Sequence, residues 1–162
     1  MADIFLKIDD VKGESQDDKG HKDEIDVLSW SWGMTQSGSS HVGGGSGTSK
    51  VSVRDITIVK RVDKSTPVLI KQCCKGIHFK LAQLTVRKAG GDPLEYFKMK
   101  LHQVLISSIT TGEVDQDGFM IETVGLNFAA FELEYDPQGG KGSGSGAVPA
   151  KWNIAKNSET VP

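Results

Sequence analysis

Alternation of apolar and polar residues runs through most of this chain, and no other feature limits its fold so tightly. It is visible in IFLKI (4–8), EIDVLSWSWGMTQ (24–36), KVSVRDITIVKRV (50–62), HFKLAQLTVRK (78–88), LEYFKMKLHQVLISSITT (94–111), FMIETVGLNFAAFELEY (119–135) and KWNI (151–154). Successive side chains on a strand point to opposite faces, so a period of two marks a half-buried strand. About seven or eight such strands separated by turns imply a mainly β fold, a barrel or two-sheet sandwich. In 119–135 the apolar parity switches, from Val124, Leu126 and Phe128 to Phe131, Leu133 and Tyr135. A bulge near Ala129 and Ala130 is the expected cause, letting one long strand serve two sheets.

One flanking helix is signalled, at about 66–75. Ser65 or Thr66 suits its N-cap, Pro67 its first position and Gly76 the position after its end, while Lys71 and Lys75 complement the dipole. Leu69, Ile70, Cys73 and Cys74 form the predicted buried stripe.

At 162 residues the chain fits a single domain spanning 1–162. The net charge of −2 comes from interspersed signs, as in DDVKGESQDDKGHKDE, so no basic patch is offered to phosphates and nucleic acid is not an expected partner. No segment is apolar for long enough to insert in a membrane, and MADIFLKIDD lacks the plan of a cleavable signal peptide. Adjacent Cys73 and Cys74 are expected as reduced thiols, because a disulfide between neighbours closes a strained ring.

The segment 24–36 carries the functional signal. As one strand it sends Leu28, Trp30, Trp32 and Met34 to a packed face, with Trp30 and Trp32 as core anchors. The opposite face turns from Ile25 and Val27 to Ser29 and Ser31, small and hydroxylic, fit to line something wet. A Gly/Ser-rich loop, 37–49, follows, too glycine-rich to pack a core and expected to be flexible. The stretch 138–150 reads as a second Gly/Ser-rich linker, leading into a C-terminal strand that brings Trp152 and Ile154 back to the body.

Catalytic patterns are missing from the sequence. GGGSGTSK displaces the lysine that a phosphate loop requires, and G-x-S-x-G occurs nowhere. His21, His41, His78 and His102 have no zinc-ligand spacing; His21 and His41 are expected solvated in loops and His102 exposed on a strand. No catalytic residue, metal site or cofactor is therefore expected, and the chain is not expected to be an enzyme.

Taken together, DIFLKIDDVKGES, HKDEIDVLSWSWGM, the glycine loop, DKSTPVL, LTVRKAGG and a terminal WNI resemble the hemolysin-coregulated protein (Hcp) family, the tube protein of bacterial type VI secretion. The resemblance implies a small β-barrel with one helix, assembling into a hexameric ring. Such rings stack into a tube that a contractile sheath propels, with a spike protein as partner and cargo effectors in the lumen. It implies synthesis in the cytoplasm and release without a cleavable signal. In such a ring Ser29 and Ser31 become candidates for the lumen wall, although parity alone allows the outer wall as well. Ser40, His41, Val42, Gly43, Gly44 and Gly45 become candidates for ring stacking. The alternative reading of the same barrel is a monomeric ligand-binding module whose glycine loop gates a pocket in the barrel mouth.

Overall fold

In the computed structural model, which describes residues 1–38, 50–90, 93–137 and 146–162, the alternating segments become antiparallel strands with one helix beside them. In chain order these are β1 (Ala2–Ile8), β2 (Ile25–Asp26), β3 (Ser29–Ser31), β4 (Met34–Thr35), β5 (Ser52–Val53), β6 (Ile56–Arg61), α1 (Thr66–Lys75), β7 (Phe79–Lys88), β8 (Glu95–Val114), β9 (Met120–Asn127), β10 (Ala130–Tyr135) and β11 (Val148–Asn153). A first sheet runs β2-β1-β7-β8-β10-β11 and a second runs β8-β9-β6-β3. The fold is mainly β with one helix, as the alternation requires.

The strand common to both sheets is β8, 20 residues long. Its first half pairs with β7 and β10 and its second half with β9. Between them Gln103 adopts φ 55°, a left-handed backbone that turns the strand from one sheet into the other. The parity switch in 119–135 has a related cause. Pairing stops at Asn127 and resumes at Ala130, so a corner at Phe128 and Ala129, tied by the Ala129 N–H to the His102 carbonyl (2.9 Å), replaces the expected continuous bulged strand.

The segment 24–36 is not one strand. It changes partner: the Val27 N–H donates to the Ile4 carbonyl (2.9 Å) beside β1, and the next N–H, of Leu28, donates to Val59 (2.8 Å) on β6. That change closes the barrel and resets the parity, so Ile25 and Val27 are buried while Leu28 and Met34 are exposed. The barrel interior is filled by Leu6, Ile8, Ile25, Ile58, Leu84, Met99, Leu101 and Leu126, none above 2 % exposure. Each such side chain contributes roughly 1.5–3 kcal/mol by burial.

The inward parity of β6 continues through Ile56 and Ile58 to Lys60, and that of β9 runs back from Leu126 and Val124 to Glu122. Both charges are fully buried and pair with each other. Lys60 also reaches Asp63 (3.1 Å), and Glu122 accepts hydrogen bonds from the hydroxyls of Thr66 (2.7 Å) and Thr111 (2.9 Å). This pinning of Thr66 sets the rotation of α1: Leu69 is buried and Val68 and Cys73 pack on the core, whereas Ile70 and Cys74, expected inside, are exposed. Gly76 ends the helix in the left-handed conformation (φ 63°) that the C-cap needs.

Residues 9–24 strap the outer face of the first sheet. Arg87, buried, binds Asp17 (2.7 Å) and Asp3 (3.1 Å), and the Arg87 guanidinium holds the Asp17 carboxyl below its ordinary value. His21 is not solvated: its ring stacks on Phe5 at 4.3 Å, between Glu24 (2.8 Å) and Glu95 (2.7 Å). Burial works to raise the Glu95 carboxyl, but hydrogen bonds from Lys98 and His21 outweigh it and lower its pKa.

Candidate functional site

The outward face of the second sheet carries a cluster of small hydroxyls. Cross-strand register lines up Ser31, Thr57, Gly125 and Ser108 in one row, and Ser29, Val59, Thr123 and Thr110 in the next. Directly between these rows, Trp30, Ile58, Val124 and Ile109 point the other way, into the barrel. The sheet is thus apolar beneath and hydroxylic above, which leaves a surface of low relief rich in adaptable donors and acceptors.

Two local devices shape this face. A bulge in β8 between Ile106 and Ser108 pushes Ser107 outward, and its hydroxyl donates to Asp55 (2.6 Å), whose other oxygen accepts from the Asn127 amide (2.8 Å). Gly125 lies against the bulge: a Cβ there would fall inside contact distance of the Ser107 and Ser108 hydroxyls. A glycine within a strand commonly marks such a close approach. At the far end of the face Arg61 binds Asp115 (3.0 Å) and Asp117 (3.2 Å). The Phe119 N–H, then Arg61, hold the Asp115 carboxyl below its ordinary value.

Ser29 and Ser31 both stand exposed on this face. Beneath them Trp30 tilts against Phe97 (5.3 Å), and Trp32 meets Phe131 edge-on (4.8 Å) while its indole N–H donates to the Arg54 carbonyl (3.0 Å). Both tryptophans are half-buried and pack on the core. Ser40, His41, Val42, Gly43, Gly44 and Gly45 lie outside the described residues; the chain enters and leaves that stretch through the β4–β5 ribbon, a separate two-stranded sheet. Most of the 138–150 linker also falls outside, and its end differs from expectation, because β11 already begins at Val148.

Thr57, Thr123, Ser108, Thr110 and Asp55 were not singled out from sequence. For Thr57 and Thr123 the signal was present, since each alternates with inward Ile56, Ile58, Glu122 and Val124. Expected as exposed, His102 is instead partly covered and bonded to Glu132 (2.8 Å). Among the described residues no group of three His, Cys, Asp or Glu is placed to hold a metal ion, and no helix is long and apolar enough to cross a membrane.

The described residues thus form a barrel with one filled core and a hydroxylic outer face. Residues 5–135 match the family model described as type VI secretion system effector, Hcp. The chain is 51 % identical over 158 residues to protein hcp1 of Pseudomonas aeruginosa, covering 96 % of this chain and 97 % of that one. Hcp1 from Salmonella typhimurium superposes with a TM-score of 0.78 at 37 % identity, over 98 % of this chain and 99 % of that chain. A structure described as a type six secretion system protein gives a TM-score of 0.90 at 27 % identity, over 99 % and 100 % of the two chains. The chain belongs to the Hcp family of type VI secretion proteins.

Proposed function

We propose that this chain is the tube protein of a type VI secretion apparatus and leaves the cell with its cargo. Copies close into a hexameric ring, rings stack through the loop carried on the β4–β5 ribbon, and the hydroxyl face forms the bore wall. Sheath and spike proteins meet the assembled tube, and effector proteins small enough for the bore ride inside it. The observation that carries this reading is the pair of hydroxyl rows centred on Ser31, Thr57, Gly125 and Ser108. Such a wall keeps a channel wide and serves varied cargo better than large apolar side chains would. The filled interior speaks against the alternative of a monomeric binding module, which needs a ligand cavity inside the barrel.

Ser31→Gln tests the bore. The substitution is repeated by symmetry around the ring, so a long amide crowds one level of the channel. Intact rings with impaired retention of cargo are the expected result. Unchanged cargo retention, together with lost contact to an external partner, would move Ser31 to the outer wall.

A further inference from the structure

Resting on the ring reading, the lateral contact can be placed on two named surfaces. The first is a cleft of about 290 Å³ where β2 meets the ends of β6 and β9, lined by Leu28, Val62, Phe119 and Arg61 with Glu14, Asp26 and Asp63 around it. Its apolar members are unusually open for large side chains, Leu28 at 48 % and Phe119 at 53 % exposure, and Met120 beside them is open as well. Arg61 lies over Phe119 (4.2 Å) but is already bound to Asp115 and Asp117, and Lys60 is taken up by Glu122 and Asp63. The cleft thus sets three carboxylates against one cation that is already paired. Burial, then the neighbouring carboxylates of Asp63, Asp17 and Asp3, raise the Asp26 pKa against the Ser15 hydrogen bond.

The second surface is β11. It pairs with β10, its far end is bridged from Asn153 to Ser158, and among the described residues no strand covers its outer edge at Val148, Pro149, Ala150 and Lys151, all of them exposed. Apolar bulk followed by one cation is the complement of the cleft. Pro149 removes a backbone donor from the strand, which favours side-chain packing over the addition of a further strand. The two surfaces lie at opposite ends of the strand run β2-β1-β7-β8-β10-β11. Two different surfaces on one subunit are what a head-to-tail contact requires, and such contacts form a ring when the rotation between copies closes.

We propose that β11 of one copy packs into the Leu28–Val62–Phe119 cleft of the next, with Lys151 answering the carboxylates of Glu14 and Asp26. Native mass spectrometry of the full chain across a dilution series tests the seam. Lys151→Glu and Val148→Asp are both at exposed positions, and circular dichroism checks that each variant keeps its fold. Each is expected to raise the concentration at which rings dissociate by about tenfold or more, as for close charge pairs across interfaces. Glu14→Lys alone is expected to do the same, while Glu14→Lys combined with Lys151→Glu restores association. Folded variants that stay in rings with unchanged dissociation would overturn the seam and leave the ring intact as a reading. A double variant no better than the singles would overturn the Glu14–Lys151 pairing, and a wild-type protein monomeric at every concentration would overturn ring and seam together.

Discussion

Removing the ammonium of Lys60 should destabilise this barrel more than removing the whole buried pair. Lys60 is 0 % exposed and Glu122 1 % exposed, so neither charge can turn to water. In Lys60→Met the apolar stem is kept and Glu122 retains only the Thr66 and Thr111 hydroxyls, with no cation. Breaking a buried pair in this way costs about 3–5 kcal/mol, because an uncompensated charge is left behind. That is a large fraction of the roughly 5–15 kcal/mol that holds a domain of this kind together. In Lys60→Met/Glu122→Leu neither fully buried charge remains, Asp63 keeps its hydrogen bonds from the Ser65 N–H and hydroxyl, and the residual cost is about 1–3 kcal/mol for hydroxyls that lose their acceptor. Thr66 is partly spared, since its oxygen still accepts the Asp63 N–H (3.1 Å). Urea denaturation reads these values, at one protomer concentration throughout because association adds to apparent stability. Either single variant within about 1 kcal/mol of wild type, or a double variant costing as much as the two singles summed, would refute the reasoning.

Trp32→Ala should cost about 3–4 kcal/mol through lost packing on Phe131 and Phe128. Trp32→Phe should cost less, with about 1 kcal/mol of its loss traceable to the hydrogen bond to Arg54; thermal unfolding that leaves Trp32→Ala at the wild-type midpoint would deny the tryptophan any anchoring role. Acid should loosen the 9–24 strap. Arg87 holds the Asp17 carboxyl below its ordinary 3.8, so its contribution is present above that value and lost as pH falls through the lowered folded one. The stability gap between wild type and Asp17→Asn should therefore shrink on acidification below about pH 4, and a gap that stays constant there would place the strap's stability elsewhere.

The alternation made the strands legible because burial on one face leaves its mark at every second residue. Parity points at Lys60 and Glu122 too, since they continue the inward positions of Ile58 and Val124, but a charged side chain carries no mark of burial in the sequence. The segment 24–36 was misread as one strand because a change of pairing partner at Val27 and Leu28 resets the parity without a glycine or proline to mark it. His21 was misplaced for a different reason. Its loop looks solvated in composition, and only the fold brings Phe5 and Glu95 beneath it. Ser29 and Ser31 stood out from sequence, but their neighbours Thr57, Thr123 and Ser108 come from strands distant along the chain, and cross-strand register is not written in any one of them.

Electron cryomicroscopy of the purified full chain tests the central claim most directly. The account predicts closed six-fold rings in which Ser31, Thr57 and Ser108 face the central channel. Isolated barrels, or rings whose hydroxyl face lies on the outer circumference, would contradict it.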